Sequence, residues 1–301
     1  MSSSSVSGKK VIITAPLTYA PRLAKEIEAK EGKALLLPTI ETLLIGPQDP
    51  AWDEMISSVK SISQHDWILF TSRNGIKGVI SALLHIFSTE KNSGEELKKE
   101  PPLSKEQEEY LQEMFSGKKI AAIGKDAELL DSYGLKAALV PPTPSPQGIV
   151  NSLKNIYSEQ KNKTKTIKEV KCLVPAPIVR EIPEPDVIPN FTKALDEIGC
   201  QWTRFGCYVT SPSPSLTSHE NLILLKNGEV DLVAFSSTAE IIALLSEISA
   251  SELKKQTKVG CFGPITAGNA AKSGVGVDMV AKDFSSFKGY VEEMERFFSQ
   301  K

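Results

Sequence analysis

Two stretches of this sequence, 165 residues apart, repeat one pattern. The apolar runs Asp66–Phe70 and Asp231–Phe235 align without gaps, and each has the length and composition of a buried strand. Hydroxyl-bearing residues follow each run, Thr71-Ser72 in the first copy and Ser236–Thr238 in the second, and apolar residues at helical spacing come next. A strand, a polar turn and an amphipathic helix therefore occur twice in the same order.

A second pair of segments extends the repeat. Lys119–Gly124 and Lys258–Gly263 each predict a strand that leads into a helix, and the two helices end at Gly134 and Gly274. A repeat of this length, with strands alternating with helices, indicates two similar domains rather than a solenoid. The repeat alone fits two sequential domains as well as two interleaved ones.

The start of the chain predicts how its strands pair. Lys9–Ile13 predicts a strand, Arg22–Lys30 has apolar residues at helical spacing, and Ala34–Leu37 predicts a second strand that Pro38 stops. These three elements form a βαβ unit, whose two strands are parallel because a helix crosses over between them. We therefore predict an α/β fold with parallel sheets.

Composition narrows the range of functions. The chain has 301 residues, of which 41% are hydrophobic, so it is long enough for about two domains and apolar enough to bury a core. Its 35 basic and 37 acidic residues give a net charge of −2, which argues against a nucleic-acid partner. The sequence contains no run of 18 apolar residues, so we expect no membrane-spanning helix and no membrane partner.

The cysteines and histidines predict neither disulfides nor a metal site. None of the 4 cysteines forms a CxxC pair, and the 3 histidines form no HxxxH or HExxH pattern. So few cysteines are typical of reduced thiols, and hence of the cytoplasm or, in a plant protein, the chloroplast stroma. The Ser-rich stretch Met1–Ser7 lacks an apolar core, so we predict no targeting peptide in this sequence.

Two polar stretches predict surface insertions. Thr89–Lys118 is rich in Lys and Glu and contains Pro101-Pro102, and Ser158–Lys171 is rich in Lys. The lysine run would suit a polyanion, but acidic residues are interspersed, which favours a solvated surface.

Five segments, taken in order, resemble the motifs of one enzyme family. DWILFTSRN at Asp66–Asn74 and DLVAFSST at Asp231–Thr238 resemble its two "D-hydrophobic-FTS" elements. Phe262–Ala267, followed by Gly274, resembles its GPxTA…G segment, and Cys207–Thr210 is similar to its Y-x-T element. With the opening strand–helix–strand unit, these segments span nearly the whole chain. The family that they resemble is the uroporphyrinogen-III synthases.

The resemblance implies two doubly wound parallel-sheet domains of similar plan, joined by a two-stranded linker. The N-terminal unit would combine with the C-terminal third, so that domain 1 comprises 1–37 and 213–301. Domain 2 would comprise 44–204, and the two linkers 38–43 and 205–212. Both linkers contain proline, which disfavours a helix there.

The resemblance also implies an activity. Synthases of this family close hydroxymethylbilane, an open-chain tetrapyrrole with eight carboxylates, into uroporphyrinogen III, with inversion of ring D and loss of water. The product leads to heme and chlorophyll. The chain would then be a lyase that needs no nicotinamide or flavin, and the sequence has no GxGxxG, GxxxxGK[ST] or GxSxG motif. We expect hydroxymethylbilane as the substrate, a monomer, and a hand-over from the preceding deaminase as a candidate interaction.

Carboxylates bind well to free N–H groups at helix N-termini, which lie at the carboxyl edge of a doubly wound sheet. The turns at that edge supply the candidate substrate-binding residues, which are Thr14, Thr71, Ser72, Arg73, Asn74, Gly124, Lys125, Ser236, Ser237, Thr238, Gly263, Pro264 and Thr266, with Arg180 as a further cation. Each hydroxyl fits a plain N-cap equally well, and each cation fits a surface charge.

Tyr208 is the candidate catalytic residue. By resemblance, it faces the cleft and protonates the departing hydroxyl group, directly or through water. A phenol suits this role because it stays protonated at neutral pH, and general acid assistance is typically worth about 10²–10⁴-fold in rate. The alternative is a strand tyrosine that only packs at the linker.

Three positions depart from the family pattern. Ala15 stands where many relatives have Arg, and Ala127 where they often carry Thr, so each change removes a candidate substrate contact. Arg180 should begin a helix after a strand, but Pro175 and Pro177 distort that pattern. These departures leave open a divergent clamshell protein that binds a polyanion without catalysis. A nucleotide-dependent α/β enzyme is a third hypothesis, which the missing phosphate loops disfavour.

Overall fold

The computed structural model describes residues 4–91, 100–159 and 165–300. Its strands are β1 (Lys10–Ile13), β2 (Lys33–Leu36), β3 (Ile40–Leu44), β4 (Trp67–Phe70), β5 (Lys119–Ala122), β6 (Lys171–Val179), β7 (Gln201–Pro212), β8 (Leu232–Phe235), β9 (Lys258–Cys261) and β10 (Met279–Val280). Its helices are α1 (Ala20–Glu28), α2 (Trp52–Lys60), α3 (Arg73–Glu90), α4 (Lys105–Met114), α5 (Asp126–Asp131), α6 (Pro146–Glu159), α7 (Val187–Glu197), α8 (Glu220–Lys226), α9 (Thr238–Leu244), α10 (Ala250–Gln256), α11 (Pro264–Lys272) and α12 (Phe287–Ser299).

The chain divides into two compact units. Unit 1 comprises Met1–Thr42, Val179–Glu184 and Thr210–Lys301, and unit 2 comprises Leu43–Ile178 and Pro185–Val209. The chain first leaves unit 1 within β3 and makes its last return to it within β7, and these two strands are neighbours in one sheet. The segment that follows β6 clusters with unit 1, although the expected boundaries assign it to domain 2.

Unit 1 is built on a parallel sheet, called sheet 1, with the strand order β10-β9-β8-β1-β2. All four residues of β8 are buried, as expected for a strand whose two faces are both covered. Ile12 and Val233 belong to one core cluster, and their neighbours Val11 and Leu232 belong to another. Side chains alternate between the faces of a sheet, so each face of sheet 1 has its own core.

Unit 2 repeats this plan on sheet 2, which has the strand order β3-β7-β6-β4-β5. Its strand β4 is parallel to both β5 and β6. Ile68 and Phe70 of β4 belong to one core cluster, and Trp67 and Leu69 belong to another. The two parallel-sheet units confirm the predicted fold class.

In each sheet the strand order reverses at one point. In sheet 1 the chain moves from β1 to β2 in one direction and from β8 through β9 to β10 in the other, so the reversal lies between β1 and β8. In sheet 2 it lies between β4 and β6. Open α/β sheets bind ligands beyond the carboxyl ends of the strands at such a reversal. We call these ends the carboxyl edges, where Thr14 follows β1, Ser236 follows β8 and Thr71 follows β4.

Strand β6 differs from the prediction. We expected a strand that ends before a helix beginning at Arg180, with Pro175 and Pro177 as distortions. Instead β6 continues through both prolines, and Arg180 begins no helix. The registered pairs of β6 with β4 end at Leu173, so the prolines, which lack an N–H group, come after this pairing.

The predicted insertion Thr89–Lys118 is only partly a surface feature. Residues 92–99 lie outside the described residues, but the segment around α4 packs on the core of unit 2 through Leu103, Leu111 and Phe115. The many charged residues around these three apolar positions obscured them in the sequence.

The second predicted insertion, Ser158–Lys171, falls partly on residues 160–164, which lie outside the described residues. Beyond them, Lys165 and Lys168 are exposed, as predicted for a solvated surface. Val170, however, is buried in unit 2, so the end of this stretch belongs to the core.

All four cysteines are free and buried. The sulfur atoms of Cys172 and Cys200 lie 3.2 Å apart without a covalent bond. Among the residues that the structure describes, no three His, Cys, Asp or Glu side chains are grouped so as to hold a metal ion. Within the same residues, every helix is too short or too polar to cross a membrane.

Candidate functional site

At the carboxyl edge of sheet 2, two of the predicted site residues meet. Ser72 is the N-cap of α3, where its Oγ accepts a hydrogen bond of 3.1 Å from the backbone N–H of Gly75. The same hydroxyl donates to the phenolic oxygen of Tyr208, on β7, at 3.0 Å. These residues are 136 positions apart in the sequence, so only the fold brings them together. We call them the Ser72–Tyr208 pair.

Tyr208 is held by the core of unit 2. Only 7% of its surface is exposed, and it belongs to the same core cluster as Phe70. Helix α3 packs directly against strand β7 at Gly78, where a side chain would overlap the carbonyl oxygen of Cys207. Tyr208 therefore combines a packed ring with a hydroxyl group that Ser72 orients.

The other candidates on this edge lie around the starts of α3 and α5. Residues 71–74 are half-buried, so solvent reaches them. The Arg73 guanidinium lies 3.8 Å from the carboxylate of Asp126 and so already has an acidic neighbour. Gly124 has a left-handed φ of 52°, and the exposed Lys125 follows it as the N-cap of α5. Two cations therefore lie on this edge, one of them beside an acidic residue.

The carboxyl edge of sheet 1 is organised around Glu240, a residue of α9 that sequence analysis did not nominate. Only 1% of its surface is exposed. Its Oε2 accepts hydrogen bonds from the Thr14 hydroxyl at 2.7 Å and from the Ser236 N–H at 2.8 Å. Its Oε1 accepts from the hydroxyls of Ser236 and Ser237. We call these four residues the Glu240 cluster.

The Glu240 cluster changes the interpretation of three predicted substrate-binding residues. Thr14, Ser236 and Ser237 were expected to bind a substrate carboxylate or to cap a helix, whereas they bind a carboxyl group of the chain itself. Ser237 also caps α9. The spacing Ser-x-x-Glu from Ser237 is that of a capping box, so the sequence held one signal for this contact. Nothing in the sequence indicates Thr14, which is 226 positions away.

Burial sets the electrostatics of this cluster. Removal from water raises the pKa of the Glu240 carboxyl group, because desolvation disfavours its charged form more than the donors favour it. Cys261 and Tyr290 interact electrostatically with it. Burial raises the pKa of Cys261 to about 12 and the pKa of Tyr290 well above its ordinary value. Both groups are therefore uncharged near neutral pH.

Thr39, in the expected linker 38–43, is a second polar residue that the sequence did not indicate. It is fully buried, and its hydroxyl lies 3.2 Å from the carbonyl oxygen of Thr14 and 3.1 Å from that of Glu240. A threonine after a proline carries no signal for either contact. Thr39 therefore connects the segment that follows β2 to the Glu240 cluster through hydrogen bonds.

The first turn of α11 lies on the same edge of sheet 1. Gly263 is the N-cap in an extended conformation, Pro264 is the first helical residue, and both Pro264 and Ile265 are exposed. The first N–H groups of a helix have no acceptor within the helix. In this first turn Pro264 has no N–H group and Thr266 is buried, so solvent reaches the start of the helix around Ile265.

Two side-chain contacts hold α11 against the turn Ser236–Thr238. The buried Thr266 donates to the carbonyl oxygen of Ser236 at 3.5 Å, and Asn269 donates to the hydroxyl of Thr238 at 3.0 Å. The hydroxyl groups of Thr238 and Thr266, both predicted to bind substrate, thus contact other residues of unit 1.

Arg180 directly follows the last residue of β6. Its N–H donates to the carbonyl oxygen of Thr210 at 3.0 Å, and both residues belong to unit 1. The next residue, Glu181, has a left-handed φ of 63°. Arg180 therefore lies in a bend after β6, not at the helix start that the resemblance implied.

Comparison with known protein families identifies the family of this chain. The family model described as uroporphyrinogen-III synthase HemD matches residues 21–288. The chain belongs to the uroporphyrinogen-III synthase family. The match confirms the resemblance found in the sequence motifs, and it indicates an enzyme of tetrapyrrole synthesis.

Solved structures of uroporphyrinogen-III synthases share this fold. A mutant of the synthase from the extremely thermophilic bacterium Thermus thermophilus is 17% identical to this chain with a TM-score of 0.61, and the match covers 98% of this chain and 100% of that one. The uroporphyrinogen-III synthetase from Helicobacter pylori is 16% identical with a TM-score of 0.51, covering 94% and 97%. No curated protein sequence matches the chain. At these identities the likeness concerns the fold.

The two units of this uroporphyrinogen-III synthase family member differ at their carboxyl edges. In unit 2 an N-cap serine bonds to the phenol of Tyr208. In unit 1 the corresponding serine bonds to the carboxyl group of Glu240. The sequence repeat predicted the shared plan, but not this difference.

Proposed function

We propose that this chain is a cofactor-independent lyase that converts hydroxymethylbilane into uroporphyrinogen III, with inversion of ring D and loss of water. Membership of the synthase family over residues 21–288 supports the reaction. The observation that carries the chemistry is the Ser72–Tyr208 pair, a phenol with an oriented hydroxyl group at the edge where such sheets bind ligands.

In the proposed reaction, Tyr208 protonates the hydroxyl group on the terminal carbon of the substrate, directly or through water. The C–O bond breaks, water leaves, and an azafulvene cation remains. A substituted pyrrole carbon attacks this cation, and the resulting spiro intermediate rearranges. Ring closure ends with the loss of one proton, which returns to the phenolate. No electron is gained or lost overall, so the reaction needs no redox cofactor.

Ser72 prepares Tyr208 for this proton transfer. Its hydroxyl donates to the phenolic oxygen and accepts from the N–H of Gly75, so two hydrogen bonds connect the phenol to the N-terminus of α3. This helix is 18 residues long, and the positive end of its dipole favours the phenolate that forms. Consecutive hydrogen bonds also polarise one another, which strengthens the effect.

We propose that the substrate carboxylates bind where each edge is open to solvent. In unit 2 these positions are Thr71, Arg73, Asn74 and Lys125, and in unit 1 they are the N–H groups of the first turn of α11. A hydrogen bond to a charged group contributes about 1.5–3 kcal/mol. Several such contacts together can hold a polyanion on a chain with a net charge of only −2.

An isomer assay tests the proposed reaction. The protein is incubated with hydroxymethylbilane, and the oxidised products are separated into type I and type III isomers. We expect type III to predominate, because only an enzyme that inverts ring D forms it. Type I alone, which is the product of spontaneous closure, would reject the proposed function.

Replacing Ser72 with alanine tests its part in the reaction. We expect kcat to fall about tenfold, because the phenol loses a charge-assisted hydrogen bond to its developing phenolate. The loss of the N-cap should also lower the free energy of unfolding by about 1 kcal/mol. Steady-state kinetics and thermal unfolding measure the two effects.

Ser286→Ala is the matched control for this substitution. Ser286 caps α12 and accepts from the N–H of Gly289 at 3.1 Å, the same geometry as at Ser72. The control should lose similar stability and keep its kcat. Equal kcat values in the two variants would remove Ser72 from the mechanism.

A further inference from the structure

The proposed reaction gives no role to the buried carboxyl group of Glu240. This group lies where the strand order of sheet 1 reverses, and it bonds to residues that follow both flanking strands, Thr14 after β1 and Ser236 after β8. The two oxygens of a carboxylate have about four acceptor sites, and the four donors of the Glu240 cluster point at them. One side chain therefore joins the ends of the two strands.

The sequence repeat shows that this carboxyl group is peculiar to unit 1. At the offset of 165 residues, Ser237 corresponds to Ser72 and Glu240 corresponds to Gly75. In unit 2 the glycine contributes no side chain, and the serine bonds to Tyr208. The two carboxyl edges therefore differ in structure. The edge of sheet 2 carries the phenol of Tyr208, and the edge of sheet 1 is fixed by the buried carboxyl group of Glu240.

From Glu240 a series of contacts leads to α11. The N–H and the hydroxyl group of Ser236 both donate to the Glu240 carboxyl group. Thr266 of α11 donates to the carbonyl oxygen of Ser236. Asn269 of α11 bonds to Thr238 in the same turn. Glu240 thus fixes the residues Ser236–Thr238, and these residues hold helix α11. The first residues of α11 are exposed to solvent.

We propose that Glu240 is a positioning residue for substrate binding in unit 1, because its carboxyl group fixes the Ser236–Thr238 turn and, through it, the first turn of α11. This inference rests on the proposed function and deepens it. Loss of the carboxyl group weakens the binding of hydroxymethylbilane at α11. It leaves the proton transfer at Tyr208, which belongs to unit 2, unchanged.

The first test compares the kinetics of Glu240→Ala and Glu240→Gln. The alanine variant should raise KM about tenfold with kcat within about twofold of the wild type, the pattern expected when only binding is lost. The glutamine variant should keep a KM near the wild-type value. Its amide oxygen can accept from Thr14 and from the Ser236 N–H, and its NH2 group can donate to the two serine hydroxyls.

Two further variants keep this test decisive. Glu247→Ala is the control. Glu247 also accepts a hydrogen bond from a hydroxyl group, that of Thr217 at 3.1 Å, but this contact is exposed to solvent. The KM of this variant should not change. In Glu240→Asp the side chain is one methylene shorter and cannot reach Thr14 and Ser236 together. Its KM should also rise, which provides a folded variant if Glu240→Ala does not fold.

The second test is the pH dependence of stability, which needs no substrate. The titratable groups that act on Glu240 are Cys261 of β9 and Tyr290 of α12, and both are uncharged in the acidic and neutral range. Burial raises the pKa of Glu240 in the folded state above its unfolded value of about 4.3. The folded state therefore loses stability as the pH rises from the unfolded pKa through the raised one. Glu240→Gln removes this loss. The free energy of unfolding of the variant, relative to that of the wild type, should therefore increase as the pH rises.

The outcomes separate this inference from the proposed function. A wild-type protein that forms only the type I isomer overturns the proposed function. Type III formation together with an unchanged KM in folded Glu240→Ala and Glu240→Asp overturns the role of Glu240 alone. Parallel stability profiles of the wild type and Glu240→Gln from about pH 4 to 9 would show that the carboxyl group is not held as described.

Discussion

Replacing Tyr208 with phenylalanine is expected to lower kcat for uroporphyrinogen III formation by about 10²–10⁴-fold, the range that general acid assistance supplies. The variant keeps the ring and loses only the hydroxyl group that bonds to Ser72. Without that group, the departing hydroxyl must take its proton from bulk water. The measurement is steady-state turnover with separation of the isomers, because spontaneous closure adds the type I product as the enzymatic rate falls.

The same substitution should leave the fold of unit 2 intact. The ring of Tyr208 belongs to the core cluster that also contains Phe70 and Phe205, and phenylalanine fills the same space. Ser72 keeps its bond to Gly75 and so still caps α3. Loss of one hydrogen bond costs about 1 kcal/mol, which lowers Tm by about 2–4 °C in a unit of this size.

Tyr157→Phe is the matched control. Tyr157, also in unit 2, accepts a hydrogen bond of 3.0 Å from the indole N–H of Trp67. Trp67 is the first residue of β4, so this phenol lies at the opposite end of the strand from Ser72. Its removal should cost similar stability and leave kcat unchanged. Full turnover in Tyr208→Phe would exclude Tyr208 as the general acid.

The sheets could be predicted because their signals are local. The four apolar residues of β4 are all buried, and a continuous apolar run between polar turns indicates such a strand without knowledge of its neighbours. The N-cap positions of Ser72 and Ser237 follow in the same way from a hydroxyl just before an apolar helix. Strand, turn and helix start are properties of ten or so consecutive residues.

The contacts of the candidate site could not be predicted, because they join residues far apart in the sequence. Ser72 and Tyr208 were both nominated, but nothing in the sequence indicates that their hydroxyl groups meet. The bond between Thr14 and Glu240 depends on β1 lying beside β8, which only the assembled sheet establishes. Glu240 was overlooked because an acidic residue in the first turn of a helix is ordinary, and its burial is visible only in the fold.

The extent of β6 also could not be predicted from the sequence alone. A proline within a strand normally argues against a central position, because it cannot donate to a neighbouring strand. Pro175 is tolerated because the registered pairs with β4 end at Leu173. The pairing that the neighbouring strand makes at each position, rather than the sequence of β6, therefore decides whether a proline fits there.

Replacing Gly78 with alanine should destabilise unit 2 and disturb the Ser72–Tyr208 pair. A Cβ at this position would overlap the carbonyl oxygen and carbonyl carbon of Cys207, which are backbone atoms of a buried strand and cannot turn aside. Overpacking of this kind costs up to about 3 kcal/mol, and the better helix propensity of alanine returns about 1 kcal/mol. The net loss of about 2 kcal/mol should lower Tm by about 4–8 °C.

Activity should fall together with stability in this variant, although Gly78 bears no functional group. Gly78 belongs to α3, which begins after Ser72, and Cys207 precedes Tyr208 on β7. Pushing the helix from the strand therefore lengthens the hydrogen bond between Ser72 and Tyr208. We expect kcat measured well below Tm to fall about tenfold, the same loss that we expect for Ser72→Ala.

Gly268→Ala supplies the comparison that makes this result interpretable. Gly268 also lies within a helix, α11, but it is exposed and an added Cβ would meet no atom within 4 Å. There the same substitution should raise the free energy of unfolding by up to about 1 kcal/mol, since only the helix propensity changes. If Gly78→Ala were as stable as the wild type, helix and strand would have room to separate. The close approach at Cys207 would then not be what holds the phenol against Ser72.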